Sequence, residues 1–440
     1  MNISFKTATK VDIFAENSKD FFQILNLIST FAAIMAGFYI HIPFCSSRCV
    51  YCAFSSTTAL ELRQRYVDAV CREVEIRGRS STGERGNEKT TAFPRAESVL
   101  EPMCQRLPAP TNTIYLGGGT PSQLTIAQLR QMFDAIYKYN KVDADAEVTI
   151  EVNPDDVTPE FVEGLHLLPV NRISMGAQTF DDERLRWLHR RHTSQQVAQA
   201  VARLRAAGIR NVSIDLMYGF PGETLQQWLA DIDCALALDV EHISAYCLTI
   251  EPGTPLHRMN IQPPGEELQR QMYYALIDRL EAAGYEHYEI SNFAKIITDS
   301  TSTRGAGGGL SFRSRHNSGY WSQTPYVGIG AAAHSYDLTT RSWNVSDIRR
   351  YIQGIEQGQR IFDYETLDAD TRYNDLVATA LRTREGIDLA TLPQRYRDYL
   401  VRSARRYVSS GLLQLHDSRL SLTRHALFVS DMVMADLMMV

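Results

Sequence analysis

Residues 38–54 read FYIHIPFCSSRCVYCAF, and this stretch joins an apolar run to three closely spaced cysteines. The run 38–42 predicts a buried strand that leads directly into the cysteine segment. Cys45, Cys49 and Cys52 follow at the carboxyl end of that strand, so that one short loop presents three thiol groups. The stretch therefore predicts the first strand of a sheet with a ligand site at its end.

Short apolar runs alternate with amphipathic helical segments from this strand to about residue 290. Six strands are predicted, at residues 38–42, 113–116, 147–152, 172–176, 212–218 and 242–249. Helices are predicted at residues 125–139, 158–167, 194–207, 223–238 and 265–283. Repeated βα units form parallel sheets. The pattern predicts an α/β fold built on an incomplete barrel of six βα units.

The chain outside these repeats divides into further segments. Residues 1–34 are predicted to be an N-terminal extension, with Met35 as an alternative translation start, and the barrel to span residues 35–290. A closing segment at 291–345 and a C-terminal domain at 346–440 follow, the latter helical and winged-helix-like because a short hairpin comes late in it. Segments 79–112 and 297–314 are rich in Gly, Pro, Ser and Thr, and they are predicted to be flexible insertions.

Composition and charge narrow the function classes. The 440 residues are 44% hydrophobic and 22% charged, which excludes disordered and collagen-like chains. The 45 Lys and Arg residues against 51 Asp and Glu residues give a net charge of -6, so no nucleic-acid partner is expected. Arg402, Arg405 and Arg406 in the C-terminal domain are interpreted as a solvated helix face.

The cysteine usage and the apolar segment at 21–44 bear on the compartment. Seven cysteines, three of them within eight residues, do not form a disulfide scaffold, which favours a reducing, cytoplasmic location. Asn26, Ser29, His41 and Pro43 interrupt the apolar segment, so neither a signal peptide nor a membrane span is expected there.

The three cysteines at the spacing C-x-x-x-C-x-x-C could bind either of two metal groups, a zinc ion or an iron–sulfur cluster. Zinc usually takes four protein ligands, and His41 is the one nearby donor, although it precedes the loop. Three thiolates can instead hold three irons of a [4Fe–4S] cluster and leave the fourth iron open. The isolated cysteines Cys71, Cys104, Cys234 and Cys247 are not expected to take part.

Residues 39–54 resemble the signature of the radical S-adenosylmethionine (SAM) proteins of the HemN and HemW group. The resemblance continues through YLGGGTP at 115–121, EVNP at 151–154, SMGAQ at 174–178, DLMYGFPG at 215–222 and RHNSGYW at 315–321. In such proteins SAM binds the open iron, and an electron from the cluster splits SAM into methionine and a 5′-deoxyadenosyl radical. The resemblance implies a [4Fe–4S] cluster and SAM as cofactors.

The matched motifs imply a set of ligand-contacting residues. Glycines after a strand let the backbone approach a ligand closely, and a carboxylate such as Glu151 can pair with a cationic group of SAM. The residues expected to contact SAM or a second ligand of that size are Tyr39, Tyr51, Gly118, Gly119, Thr120, Glu151, Gln178, Arg190 and Asp215. The alternatives are an ordinary tight turn for the glycines, a structural carboxylate for Glu151, a helix-surface charge for Arg190 and a buried aromatic role for the two tyrosines.

Phe54 favours one branch of this group. Oxygen-independent coproporphyrinogen III oxidases carry a further cysteine two residues after the third ligand, whereas the HemW branch, which resembles haem chaperones, has phenylalanine there. The resemblance implies that haem is bound and passed to an apo-haemoprotein, such as a respiratory enzyme, with peripheral membrane association left open. His316, in the motif HNSGYW, is the candidate haem ligand, and a structural histidine is the alternative.

Overall fold

A computed structural model of the protein describes residues 36–82, 110–296 and 311–439. Its centre is a 12-stranded sheet in which parallel strands follow one another in chain order. These strands are β1 Ala36–Ile42, β2 Thr111–Gly118, β3 Val142–Val152, β4 Arg172–Gln178, β5 Asn211–Tyr218 and β6 His242–Cys247. The predicted α/β fold with an incomplete barrel is confirmed.

Helices connect the parallel strands. They are Arg63–Thr82, Ile126–Tyr139, Pro159–Leu165, Asp182–Trp187, Ser194–Ala206, Leu225–Ala237, Pro255–Arg258 and Glu266–Ala282. Local chemistry explains several starts: Thr125 and Thr224 each form a capping box with a glutamine three residues on, and Pro159 occupies the first turn after Thr158. The sequence analysis placed no helix at Arg63–Thr82, whose buried positions Tyr66, Val70 and Val74 recur every four residues.

Short strands that the sequence analysis did not predict extend the sheet at both edges. Beyond β6 lie the antiparallel strands β7 Tyr285–Glu289 and β8 Asn292–Lys295, with β8 next to β6. On the other side β9 Tyr326–Ile329 runs parallel to β1 and is followed by β10 His334–Tyr336, β11 Thr340–Asn344 and β12 Phe362–Thr366. The closing segment therefore contributes strands to the barrel sheet.

The structure moves the start of the C-terminal domain from residue 346 to about residue 367. β12 pairs with β11 in the barrel sheet. The helix Ile348–Glu356 buries Tyr351, Ile352 and Ile355 in the same core as the barrel strands. Because these contacts tie residues 346–366 to the barrel, the predicted boundary at 346 is too early.

A separate core holds the C-terminal unit together. It is built from the helices Ala369–Ala380, Gln394–Ser409 and Ser430–Leu437 and from a small sheet of β13 Ile387–Asp388, β14 Leu413–His416 and β15 Arg419–Leu422. The unit is fastened to β7 by main-chain hydrogen bonds, since the Ile290 N–H donates to the Arg382 carbonyl at 3.1 Å and the Arg384 N–H to the Tyr288 carbonyl at 3.0 Å.

Several expectations fall on residues outside the described ranges. These are the extension 1–34, Cys104 and most of the two predicted insertions. The insertion bounds themselves change: residues 79–82 end the helix Arg63–Thr82, residues 111–112 belong to β2, and Ser314 caps the helix Arg315–Trp321. Among the described residues, no helix combines the length and apolar character needed to cross a membrane.

Candidate functional site

A cavity of about 550 Å³ lies at the carboxyl ends of the parallel strands. Its walls are the cysteine loop after β1, the glycine loop after β2 and the ends of β3 to β6. Open α/β sheets bind ligands at this edge, because the loops that follow the strands converge there. All but two of the predicted site residues line the cavity, namely Cys45, Cys49, Tyr51, Cys52, Gly118, Gly119, Thr120, Glu151, Gln178, Arg190 and Asp215.

The cysteine loop turns its three partly buried thiols toward this cavity. The Thr120 hydroxyl donates to Cys45 Sγ at 3.5 Å, and Arg190 Nη1 donates to Cys49 Sγ at 3.6 Å. Burial raises the pKa of the Cys45 and Cys52 thiols. The hydrogen bonds from Thr120 and Arg190, which belong to two other segments of the chain, favour the thiolate form instead.

The three thiols suit a cluster better than a single ion. Within the described residues no group of three His, Cys, Asp or Glu side chains is gathered closely enough to bind one metal ion. A [4Fe–4S] cluster takes its thiolates at separate iron corners, so its ligands stand farther apart than those of one zinc ion. Three thiols around one cavity wall fit that donor set.

The glycine loop packs against the cysteine loop without space for side chains. Gly118 has a φ of 113°, and a Cβ there would lie 2.5 Å from the His41 ring. A Cβ on Gly119 would lie 2.8 Å from the Pro43 backbone, and the Gly119 N–H donates to the Ile42 carbonyl at 2.8 Å. The glycines thus permit close packing of the two loops, and Gly118 and Gly119 also line the cavity.

Glu151 is held in place at the end of β3. Its carboxylate accepts hydrogen bonds from the Tyr115 hydroxyl at 2.8 Å and from the Gly118 N–H at 3.0 Å. Desolvation by burial raises the pKa of Glu151 to about 7, although the bond from Tyr115 opposes the rise. A carboxyl group with a pKa near neutrality is partly protonated, and a cationic ligand bound beside it would stabilise the charged form.

Arg190 reaches the cavity from the loop after the helix Asp182–Trp187. Its Nη2 donates to Asn153 Oδ1 and to the Gly176 carbonyl, each at 2.7 Å. A helix-surface role for Arg190 is therefore excluded by its partners. Gln178 adopts a φ of 68° at the end of β4, and a Cβ on Gly176 would meet its Nε2 at 2.7 Å.

Asp215 faces the cavity from β5. Burial raises its pKa to about 6, while hydrogen bonding to Ser244 and the positive charge of Arg172 oppose that rise. The cavity lining therefore includes the carboxyl groups of Glu151 and Asp215 together with the guanidinium of Arg190. This mixture suits a ligand that carries both a carboxylate and a positive charge.

Known proteins share both the domains and the order of these features. The profile of the Radical SAM superfamily matches residues 39–235, and that of the HemN C-terminal domain matches residues 367–429. Heme chaperone HemW of Bacillus subtilis is 32% identical over 82% of this chain and 87% of that protein. Heme chaperone HemW of Mycobacterium tuberculosis strain H37Rv is 32% identical over 91% of this chain and 94% of its own length.

The chain belongs to the HemW family of radical SAM proteins. Coproporphyrinogen III oxidase (HemN) from Escherichia coli has a similar solved structure, with a TM-score of 0.73 at 20% identity over 95% of this chain and 93% of that one. At this identity the likeness supports the fold alone. The profile of the HemN C-terminal domain also begins at the boundary near residue 367 that the packing indicates.

Tyr39 lies beneath the cavity of this HemW-family protein and does not line it. Its hydroxyl is 3.0 Å from His41 Nδ1, and its ring is 6.2 Å from the Tyr115 ring. Alternation along β1 places Tyr39 on the interior face of the barrel, one step below His41. The expected contact between Tyr39 and a ligand is therefore replaced by packing under the site.

His316 is also placed differently from its expected role as a haem ligand. The side chain is buried inside the barrel, where Nδ1 is 2.9 Å from the Thr113 hydroxyl and Nε2 is 2.8 Å from the Tyr320 hydroxyl. Burial, with a contribution from Arg172, lowers the pKa of His316 to about 3. Both ring nitrogens are engaged, so in this arrangement His316 does not offer a nitrogen to iron.

Other residues of the same motif have different surroundings. Asn317 lines the main cavity, whereas the Trp321 ring lies 4.7 Å from the guanidinium of Arg382 in the C-terminal unit. Glu147 accepts hydrogen bonds from the backbone N–H groups of Arg315 and His316, each at 3.0 Å. The motif therefore forms a helix that closes the lower end of the barrel and joins the two units.

Phe54 stands at the mouth of the cavity with 71% of its surface exposed. An exposed phenylalanine at a cavity mouth provides an apolar surface where a cysteine would provide a thiol. Sequence reasoning missed Tyr115, Asn153 and Tyr246, which also line the cavity. Asn153 directly follows the predicted strand 147–152, and Tyr115 belongs to the motif YLGGGTP, which are the signals that could have found these two; Tyr246 lies within the predicted strand 242–249 and gave no such signal.

Proposed function

We propose that this protein is a haem chaperone that carries a [4Fe–4S] cluster and SAM, binds haem and delivers it to an apo-haemoprotein. The observation that carries the proposal is the cavity in which three thiols, a glycine loop and the carboxyls of Glu151 and Asp215 converge. The names of the curated relatives support the haem part of the proposal. Phe54, at the position of the oxidase cysteine, favours delivery of haem over oxidation of coproporphyrinogen III.

Each part of the cofactor set has residues that would hold it. Cys45, Cys49 and Cys52 would bind the cluster, with Thr120 and Arg190 stabilising the thiolates. When bound, the cluster would supply an electron and an open iron position for the amino and carboxylate groups of SAM.

The cavity walls would hold the rest of SAM. Glu151, fixed by Tyr115 and Gly118, and Asp215 offer hydrogen-bond acceptors to the N–H groups of its amino group and negative charge to its sulfonium. Arg190 offers positive charge to its carboxylate. Gly118, Gly119 and Thr120 permit close approach of the backbone, and Tyr51 and Gln178 complete the wall.

The acceptor and the location belong to the same proposal. We place the protein in the cytoplasm, with a respiratory haemoprotein as the acceptor and association with the membrane surface as a consequence of that acceptor. Cell fractionation combined with affinity capture of haem-loaded protein would test this part. Recovery of the protein in an oxidising compartment would contradict it.

An anaerobic haem titration beside a coproporphyrinogen III assay tests the main proposal. Cluster-loaded protein is expected to change the haem absorption spectrum at a fixed stoichiometry, and to transfer haem to an added apo-haemoprotein. With SAM and a reductant it is expected to form no protoporphyrinogen IX. Formation of that product would establish the oxidase alternative, and a colourless protein with bound zinc would exclude both functions.

A further inference from the structure

Arg172 is a buried arginine directly beneath the cavity. It is the first residue of β4, and its side chain is 1% exposed. Side chains alternate along a strand, so Arg172 points to the same face as Ser174 and Gly176. Ser174 and Gly176 line the cavity, and Arg172 therefore lies one step below its floor.

The guanidinium of Arg172 is poorly paired for so buried a charge. Neither Nε nor Nη1 has a hydrogen-bond partner among the described residues. No carboxylate oxygen of the described residues lies within 4.0 Å of the Arg172 guanidinium. Burying a charge without a partner costs several kcal/mol, so an arginine is retained in such a place only where neighbouring charges offset the cost.

Two carboxyl groups lie on the neighbouring strands just above Arg172. Glu151 of β3 is opposite Ser174, and Asp215 of β5 is opposite Gly176. The positive charge of Arg172 favours ionisation of both, whereas burial disfavours it and Asp215 further raises the pKa of Glu151. Arg172 is thus a cation placed between two carboxyls that it does not contact in an ion pair.

The other groups around Arg172 and the two carboxyls do not replace it in this role. Burial raises the pKa of the nearby tyrosines far above neutrality and lowers that of the nearby histidines far below it; these are Tyr39, Tyr115, Tyr246, Tyr288, Tyr320, His242 and His316.

Three more charged groups nearby already have partners of their own. Arg190 binds Asn153 and Gly176, Glu147 accepts from the N–H groups of Arg315 and His316, and Glu289 pairs with Arg382 at 3.4 Å. Asp155, which also lines the cavity, is paired with Arg191 at 2.7 Å. Among the groups named here, those that can change their charge around neutral pH are therefore Glu151 and Asp215 themselves.

We propose that Arg172 is a positioning residue that keeps Glu151 and Asp215 ionised, so that the cavity can bind the amino and sulfonium groups of SAM. This inference rests on the proposed function, because it takes SAM to be the ligand of the cavity. An arginine carries a permanent positive charge, and beneath the floor it acts without occupying the space of the ligand. Its buried position preserves the effect at physiological salt, since buried charges are screened less than exposed ones.

Equilibrium binding of SAM to anaerobic, cluster-loaded protein between pH 6 and pH 9 tests the role of Arg172. In the variant Arg172→Gln the pH at which SAM binding is half-maximal is expected to rise by about one unit, because both carboxyls become harder to ionise. At pH 7 the affinity for SAM would fall by up to about tenfold. Arg172→Lys, which keeps the charge, is expected to bind with nearly the wild-type midpoint.

A neutral probe separates charge from structure. 5′-Methylthioadenosine carries neither the amino nor the sulfonium group, and its affinity is expected to be the same in the Gln and Lys variants at every pH. Equal losses of affinity for both probes across the pH range would indicate a general distortion of the site and would overturn the proposal. The iron content of each variant verifies that the cluster is equally loaded.

The remaining outcomes also decide between the alternatives. Arg172→Met provides a second neutral variant with an unbranched apolar side chain, which a buried site tolerates well. Failure of both neutral variants to fold, with Arg172→Lys folded, would assign a structural role and overturn the inference. A wild-type midpoint in the neutral variants would overturn it too, whereas a wild-type protein that binds no SAM would contradict the proposed function itself.

Discussion

At the scale of single residues, several side chains of the cavity wall have partners from distant parts of the chain. Thr120 and Arg190 reach Cys45 and Cys49, and Tyr115 reaches Glu151. Because these partners belong to the loops and ends of different strands, substitution of one residue alters the position of its partner on the neighbouring segment. The effects of single substitutions are therefore specific enough to test the assignments.

Replacement of Cys49 by serine is expected to remove nearly all cluster iron, because the cluster then loses one of its three protein thiolates. Iron and sulfide analysis after anaerobic reconstitution measures this. The matched control is Cys234→Ser, which changes an exposed thiol on the helix Leu225–Ala237 and is expected to retain full iron content. Full iron in Cys49→Ser would refute the assignment of the cluster ligands.

Replacement of His316 by glutamine is expected to reduce the loss of stability in acid. The folded protein holds His316 neutral down to about pH 3, whereas an unfolded histidine takes up a proton near pH 6.5. The unfolded state therefore binds more protons within this window, and this contribution to stability is lost as the pH falls. Between pH 7.5 and pH 5 the wild type should lose about 2 kcal/mol more than the variant.

Chemical denaturation at the two pH values measures this difference in the free energy of unfolding. The other titrating groups are common to both proteins, so their contributions cancel to first order. Equal losses in the two proteins would show that the His316 ring is accessible to protons in the folded state, as its use as a haem ligand would require.

Elements rather than residues explain which parts of the architecture could be predicted. The strands β1 to β6 could be, because each contains a short segment rich in apolar and β-branched residues, and Glu151 and Asp215 could be placed at the site because each lies in such a segment. β10 to β12 could not, since they are short and contain many polar residues. The direction of His316 could not either, because a motif does not show which face of a helix will be buried.

Arg172 shows the same limit within a correctly predicted strand. An arginine at the start of a strand resembles a surface charge that flanks the sheet, and only the register of the neighbouring strands places it under the cavity. Interior polar residues of this kind have partners that are distant in sequence. A single sequence therefore gives no signal for them.

Glu73 joins four segments through one buried carboxylate. It accepts hydrogen bonds from Asn344, from the Tyr351 hydroxyl at 2.8 Å and from the Gly330 N–H at 3.0 Å, and it lies 3.2 Å from Arg360. The carboxylate thus fastens the helix Arg63–Thr82 to the edge of the sheet beyond β1. This hydrogen-bond network therefore connects secondary-structure elements that are distant in the sequence.

Replacement of Glu73 by glutamine is expected to lower the free energy of unfolding by about 3–5 kcal/mol, because buried arginine charge loses its counter-ion. Urea denaturation measures the change. The control is Glu356→Gln, which removes the exposed ion pair with Arg65 between the same two helices and is expected to change little. Similar effects of the two substitutions would show that the buried network is not the fastening.

At the scale of the whole molecule, the packing divides the chain near residue 367 into a barrel unit and a smaller C-terminal unit. Residues 1–366 contain every strand of the large sheet, whereas a chain ending at residue 345 lacks β12 and the helix Ile348–Glu356. The buried side chains Tyr351, Ile352 and Ile355 belong to that helix. The two end points therefore differ in whether the barrel core is complete.

Truncation after residue 366 is expected to leave a cooperatively folding barrel, and truncation after residue 345 is expected to abolish it, since the core then loses three large side chains. Thermal unfolding of dilute protein, followed by circular dichroism, compares the two truncated chains. Equal stability of both would restore the boundary at residue 346.

The fastening of the C-terminal unit to β7 has a consequence for self-association. β7 is the last strand of the large sheet, and the main-chain hydrogen bonds to Arg382 and Arg384 occupy groups near its outer edge. An uncovered strand edge is a template on which another chain can pair. The C-terminal unit therefore covers this edge, and a protease that removed it would expose a strand edge prone to aggregation through pairing with other chains.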